Sequence, residues 1–209
     1  MMKKKLFLFV SLILFTNAYF SYADEIEQKF KTIGEAIKEE FYKTVKPIGS
    51  QYEISDEERE DNYLHQIKLF KEWQKELKKL VETKPNSIWA DDAQYLMATL
   101  NIKDNNSDIK QRSSELEYLI EKYPSIHIEQ WTKDNIVLVR IPKKISDDVW
   151  VRCELIFEYQ QIGDNKKAEA LYRKSRDEFP DYADLLARFY DSKDISKAEV
   201  EKLRRKYFE

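Results

Sequence analysis

The side chains with most latent chemistry in this sequence are scarce: one cysteine, Cys153, and two histidines, His65 and His127. A cysteine paired with a histidine is the nucleophile-and-base arrangement of thiol enzymes, where a thiolate attacks and the imidazole carries the proton. Around Cys153 the local signals run the other way. It lies within V-W-V-R-C-E-L-I-F, in mid-helix, with no loop or helix N-terminus to hold its thiol ionised. Beside Trp150, Leu155 and Ile156 it reads most simply as a small, partly buried side chain. The sharper reading is an intermolecular disulfide, since a lone cysteine makes none within its own chain. The histidines are far apart in sequence, and neither has a second ligand at metal spacing. Adjacent acids occur at Asp91-Asp92 and Asp147-Asp148, but both pairs fall where helices are expected to start, the second just after Ser146. Acids there complement the helix dipole. G-x-S-x-G, H-E-x-x-H, Walker and dinucleotide motifs are all missing, and 3 glycines leave little for a phosphate-cradling loop. The expectation is a non-catalytic chain with no metal and no cofactor. The enzyme reading that remains uses Cys153, with His65 or His127 as its base.

The composition points to helices. Of 209 residues, 36% are charged and only 3 are glycine and 5 proline, which leaves little turn chemistry for a sheet protein. Aromatic residues at 13% are enough to build a core. Residues 1–23 stand apart. A basic start at Met1–Lys5 leads into the apolar run Leu6–Phe15, and Ser21-Tyr22-Ala23 offers small residues where a signal peptidase reads. This is the layout of a secretory signal peptide cleaved after Ala23, placing the mature chain in the periplasm. The alternative is an uncleaved membrane anchor, favoured if the apolar run is counted through Tyr22. Cleavage removes three lysines and no acid, taking the net charge from −3 to −6. That balance speaks against nucleic acid and against docking to anionic lipid as partners.

Periodicity then sets out the elements. Ile26, Phe30, Ile33, Ile37, Phe41 and Val45 make one apolar stripe, so residues 24–50 read as an N-terminal amphipathic helix and its end. Gly34 inside it is expected to weaken it by about 1 kcal/mol against alanine. Ser55 and Glu58 form a capping box before a long helix that closes near Thr83-Lys84-Pro85. Further helices are expected over Trp89–Asn101, Asp108–Lys122, the two halves of Val149–Asp181, and Tyr182–Tyr190. A last helix starts from the capping box Ser196/Glu199. Its basic run Lys202–Lys206 is read as a polar cap closing the array. Residues 126–146 break the pattern: Glu129–Asn135 could be a helical turn or two, and Ile136–Ile141 is β-branched enough for a short strand.

Within Val149–Asp181, Leu155, Ile156 and Tyr159 share one helical face; Gly163-Asp164 makes a turn. Ala168, Leu171, Tyr172 and Ser175 share the next face before Phe179-Pro180. Counted with Val149 as the first position, Leu155, Tyr159, Ala168, Tyr172 and Pro180 fall at positions 7, 11, 20, 24 and 32 of a 34-residue unit. This resembles the tetratricopeptide repeat, with Arg152 and Ile156 departing from the family's preferences. W-A-D-D-A-Q-Y-L at Trp89 is similar to periplasmic tetratricopeptide proteins related to the outer-membrane assembly lipoprotein. The resemblance, strongest over 149–182, implies an all-α array of antiparallel helix pairs, an α-solenoid, over residues 51–209 with one insertion at about 126–146. It also implies a scaffold of the bacterial cell envelope that binds a protein or peptide in a groove, as a member of an envelope complex. The groove-lining positions fall on Trp150, Cys153, Phe157 and Gln160, and in the earlier unit on Asp92, Tyr95, Thr99 and Ile102. Trp150 and Phe157 would be anchors, since aromatic residues dominate hot spots; alternatively both are core. A second function class is a structural protein that self-associates through the stripe of the first helix, without a peptide groove.

Overall fold

The computed structural model describes residues 26–41, 56–101, 106–136, 138–139, 141–191, 202–203 and 205–207. The expected capping boxes at Ser55 and Ser196, the signal layout of 1–23 and groove position Ile102 lie outside them. The described elements are α1 (26–41), α2 (Asp56–Thr83), α3 (Ala90–Thr99), α4 (Asn106–Lys122), α5 (Gln130–Asn135), α6 (Asp147–Gln161), α7 (Asn165–Glu178), a 3-10 turn (Pro180–Tyr182) and α8 (Ala183–Tyr190). Helical residues recur at 202–203 and 205–207. The chain is all-helical, and the described residues contain no strand.

Consecutive helices pack on one another: α2 on α3, α3 on α4, α6 on α7 and α7 on α8, while α6 also meets α4 and α8. Local chemistry sets the ends. Ser146 caps α6 by accepting from the Val149 amide at 3.3 Å. At the other end Gly163 takes φ +77°, its amide bonds Gln160 O at 3.1 Å, and the Asp164 amide bonds Tyr159 O at 2.8 Å. That is the Schellman arrangement, which reverses the chain within three residues. Asp164 then caps α7 by accepting from the Lys167 amide at 3.1 Å.

Two apolar cores result, with α6 between them. The larger joins α1, the second half of α2, α3, α4 and the segment around α5 to Val151, Leu155 and Tyr159 of α6. The smaller gathers Val149, Cys153 and Ile156 of α6 against Leu185 and Leu186 of α8 and Tyr207. Leu155 and Ile156, expected on one face, therefore go to opposite cores, because successive helix positions lie about 100° apart. A helix apolar nearly all round is what a helix buried on two sides requires.

The stripe of α1 is consumed inside the larger core. Ile26, Phe30, Ile33 and Ile37 are buried, and Phe30 lies 5.2 Å from the Trp89 ring and 6.1 Å from the Trp131 ring. Lys31 Nζ stands 5.4 Å from the centroids of both tryptophans. The face expected to drive self-association is thus used within the molecule over these residues.

Of the stretch whose β-branched residues offered a strand, the described residues 136, 138, 139 and 141 are not in one. The Val139 amide bonds Ile136 O at 2.9 Å, closing a turn. Ile136, Val139 and Ile141 are buried as plugs in the larger core. A lone strand has no ladder to satisfy its amides, and these three side chains go to packing instead.

Candidate functional site

Only one side of α6 is left between the two cores. Trp150, Glu154, Phe157 and Gln160 lie along it at helical spacing and are half-buried. Neighbouring helices reach both ends. The Trp150 ring meets Phe189 of α8 edge-on at 5.7 Å, and Gln160 Nε2 donates to Tyr190 O. Toward α3, the Tyr95 hydroxyl donates to Glu154 Oε2 at 2.9 Å. Arg112 of α4 closes the network with Nη2 3.1 Å from Glu154, Nε donating to Glu158 at 3.0 Å and Nη1 donating to Ala98 O at 3.0 Å. The stripe is an aromatic ridge floored by charge-assisted hydrogen bonds.

The positions proposed from sequence divide accordingly. Trp150, Phe157 and Gln160 come together on this stripe. Cys153 does not: it is 0% exposed, in the smaller core, because the stripe and the second core are adjacent sides of one helix. Tyr95 is buried up to its hydroxyl, and Thr99 is half-buried with its own hydroxyl donating to Leu96 O at 2.9 Å. Asp92 is 0% exposed and cannot line a groove.

The thiol chemistry considered for Cys153 lacks its parts. Burial pushes the thiol well above its ordinary pKa, with the Glu154 charge adding to the effect. The imidazoles are 59% (His65) and 74% (His127) exposed on other elements, His65 3.7 Å from Glu40 and His127 3.9 Å from both Glu129 and Asp147. Among the described residues, no three metal-capable side chains gather and no helix is long and apolar enough to cross a membrane.

The two acid pairs do more than open helices. Residues 126–129 run extended between the N-termini of α3 and α6, and four successive amides donate to four carboxylates. Ile126 bonds Asp148 at 3.2 Å and Ile128 bonds Asp147 at 2.8 Å, both on α6. His127 bonds Asp91 at 2.9 Å and Glu129 bonds Asp92 at 3.1 Å, both on α3. Extended backbone points alternate amides to opposite sides, so one strap ties two helices. Lys133 of α5 adds an ion pair to Asp147 at 2.7 Å. Burial raises Asp91 and Asp148 above the usual carboxylate range, and pushes Asp92 up to about 8, helped by the charges of Asp91 and Glu129. The only signal for this clasp in the sequence was the recurrence of Asp-Asp at two helix starts flanking an irregular insertion.

Beside the strap a cleft of about 410 Å³ is lined by Pro85, Ile88, Asp91, Tyr123, Pro124 and His127, among others. Ile88 is 67% exposed at its mouth. Set against known proteins, the chain matches no family model, no curated protein and no solved structure.

Proposed function

We propose that this chain is a non-catalytic protein–protein interaction scaffold whose helix hairpins stack in the manner of tetratricopeptide repeats. A protein or peptide partner would engage the outward side of α6. The single observation that carries this is the stripe of Trp150, Glu154, Phe157 and Gln160, which keeps part of its surface exposed although Trp150 also packs against both cores. Aromatic side chains that keep part of their surface exposed over a fixed polar floor suit an anchor site, because they contribute contact area at little conformational cost. The order of packing, hairpin α3–α4 followed by hairpin α6–α7 with α8 against α6, supports the repeat-like reading. The basic, apolar and small-residue layout of residues 1–23 supports export to the envelope, where the partner would be found.

The test is cross-linked affinity capture of the mature chain from its own envelope, beside a Trp150→Ala/Phe157→Ala variant whose thermal transition is measured in parallel. A discrete partner that is lost in a variant still folded supports the groove. A variant that unfolds places both rings in the core and removes the proposed anchors. Capture of the bait alone favours self-assembly.

A further inference from the structure

Asp92 is the most enclosed of the four strap carboxylates, at 0% exposure. Its Oδ1 accepts the Glu129 amide, whereas Oδ2 has no hydrogen-bond partner. The Thr132 hydroxyl of α5 interacts with Asp92, is itself 0% exposed, and also lacks a partner in hydrogen-bond geometry. No cation compensates the site. Lys133 is engaged by Asp147, and Arg152, which faces Asp148, is paired with Glu178 at 3.1 Å. The groups closest to Asp92 are acids: Asp91 on α3 and Glu129 on the strap, with Asp147 and Asp148 of α6 across the junction. The imidazole of His127 is turned outward, toward Glu129 and Asp147. An anionic carboxylate buried without a counter-charge is costly; the Thr132 hydroxyl, as a donor, offsets only part of that cost, whereas a proton on Asp92 removes the charge altogether.

We propose that Asp92 is a proton latch: held as the neutral acid beside the Thr132 hydroxyl, it accepts the Glu129 amide at Oδ1 without burying a charge, so the strap of residues 126–136 tightens as pH falls and loosens as pH rises. The sign follows from linkage. A carboxyl that titrates near 4 when the strap is open and higher when it is closed favours the closed state most at low pH. Its advantage falls about tenfold per pH unit between the two values and levels off above them. Asp91 and Asp148, also raised by burial, act in the same direction.

Amide hydrogen exchange on the full protein tests this, followed from about pH 5 to about pH 7 and corrected for the intrinsic pH dependence of exchange. The opening constant of the amides of Glu129 and Ile136 is expected to rise by at least about tenfold per pH unit, any excess coming from Asp91 and Asp148. In Asp92→Asn, whose amide keeps the acceptor and carries no charge, the rise is expected to shrink to about threefold or less. Equal slopes in both proteins, or a flat wild type, overturn the proposal. Should Asp92→Asn fail to fold, the ¹³C shift of the wild-type Asp92 carboxyl decides: titration in the ordinary range near 4 overturns the latch, and titration well above it supports the latch.

Discussion

Arg112 ties a buried polar network across α3, α4 and α6. Its guanidinium, 6% exposed, is shared between Glu158, 1% exposed, and Glu154, and it also caps Ala98 O. Removing one partner of such a group leaves the other charged and unsolvated. Arg112→Met is therefore expected to destabilise the fold by about 3–5 kcal/mol, read from urea denaturation. Arg112→Met combined with Glu158→Leu should recover a large part of that loss, since the stranded buried carboxylate is then gone. An equally large loss in the double variant would mean that packing, not charge, sets the cost. Cys153 gives a second residue-scale expectation. With the thiol buried and its pKa raised, labelling by a thiol reagent should proceed only as fast as the protein opens. Labelling at the rate of a free thiol in native buffer would show that the smaller core does not protect it.

Among the elements, α1 shows how packing reverses a propensity. Intrinsic preference makes Gly34→Ala stabilising by about 1 kcal/mol in a helix interior. A Cβ at Gly34, however, would come 2.9 Å from Trp131 Cη2 and 3.1 Å from Ile136 Cδ1. The Trp131 ring has little room to retreat, being edge-on to Trp89 at 6.2 Å and packed on Phe30. Overpacking of this kind costs about 1–3 kcal/mol, so Gly34→Ala is expected to lower the thermal midpoint despite its better helix propensity. An increase would show that the α5 segment yields easily. The connection between α6 and α7 should behave more locally. Gly163 sits at φ +77° with open space around it, so Gly163→Ala is expected to cost about 1–2 kcal/mol from backbone strain alone.

For the molecule as a whole, α1 is part of the domain rather than an appendage to it. Phe30 is fully buried against Trp89 and Trp131, which belong to α3's entry and to α5. Phe30→Ala is expected to cost about 3–5 kcal/mol in denaturation and to shift the tryptophan emission of the folded state. A loss below about 1 kcal/mol would mean that α1 contributes little to the common core. The strap works at the same scale, tying the first hairpin to the second through backbone amides rather than side-chain packing.

Much of this was legible locally. The helices, the Ser146 cap and the Gly163-Asp164 reversal follow from residues within one or two turns of each other, and such contacts are encoded in spacing. What only the tertiary structure decided was which segment lies opposite. Periodicity placed Leu155 and Ile156 on one face, but two cores divide them. It made Gly34 a weakness, where a tryptophan ring makes it a requirement. It read Asp91-Asp92 and Asp147-Asp148 as helix starts, whereas together they hold a strap contributed by residues 126–129. The neighbours of Cys153 already marked it as a small buried side chain, whereas the repeat resemblance made it a groove position, and α8 covers it. Each of these depends on groups distant along the chain, and no local pattern states the environment that a distant segment supplies.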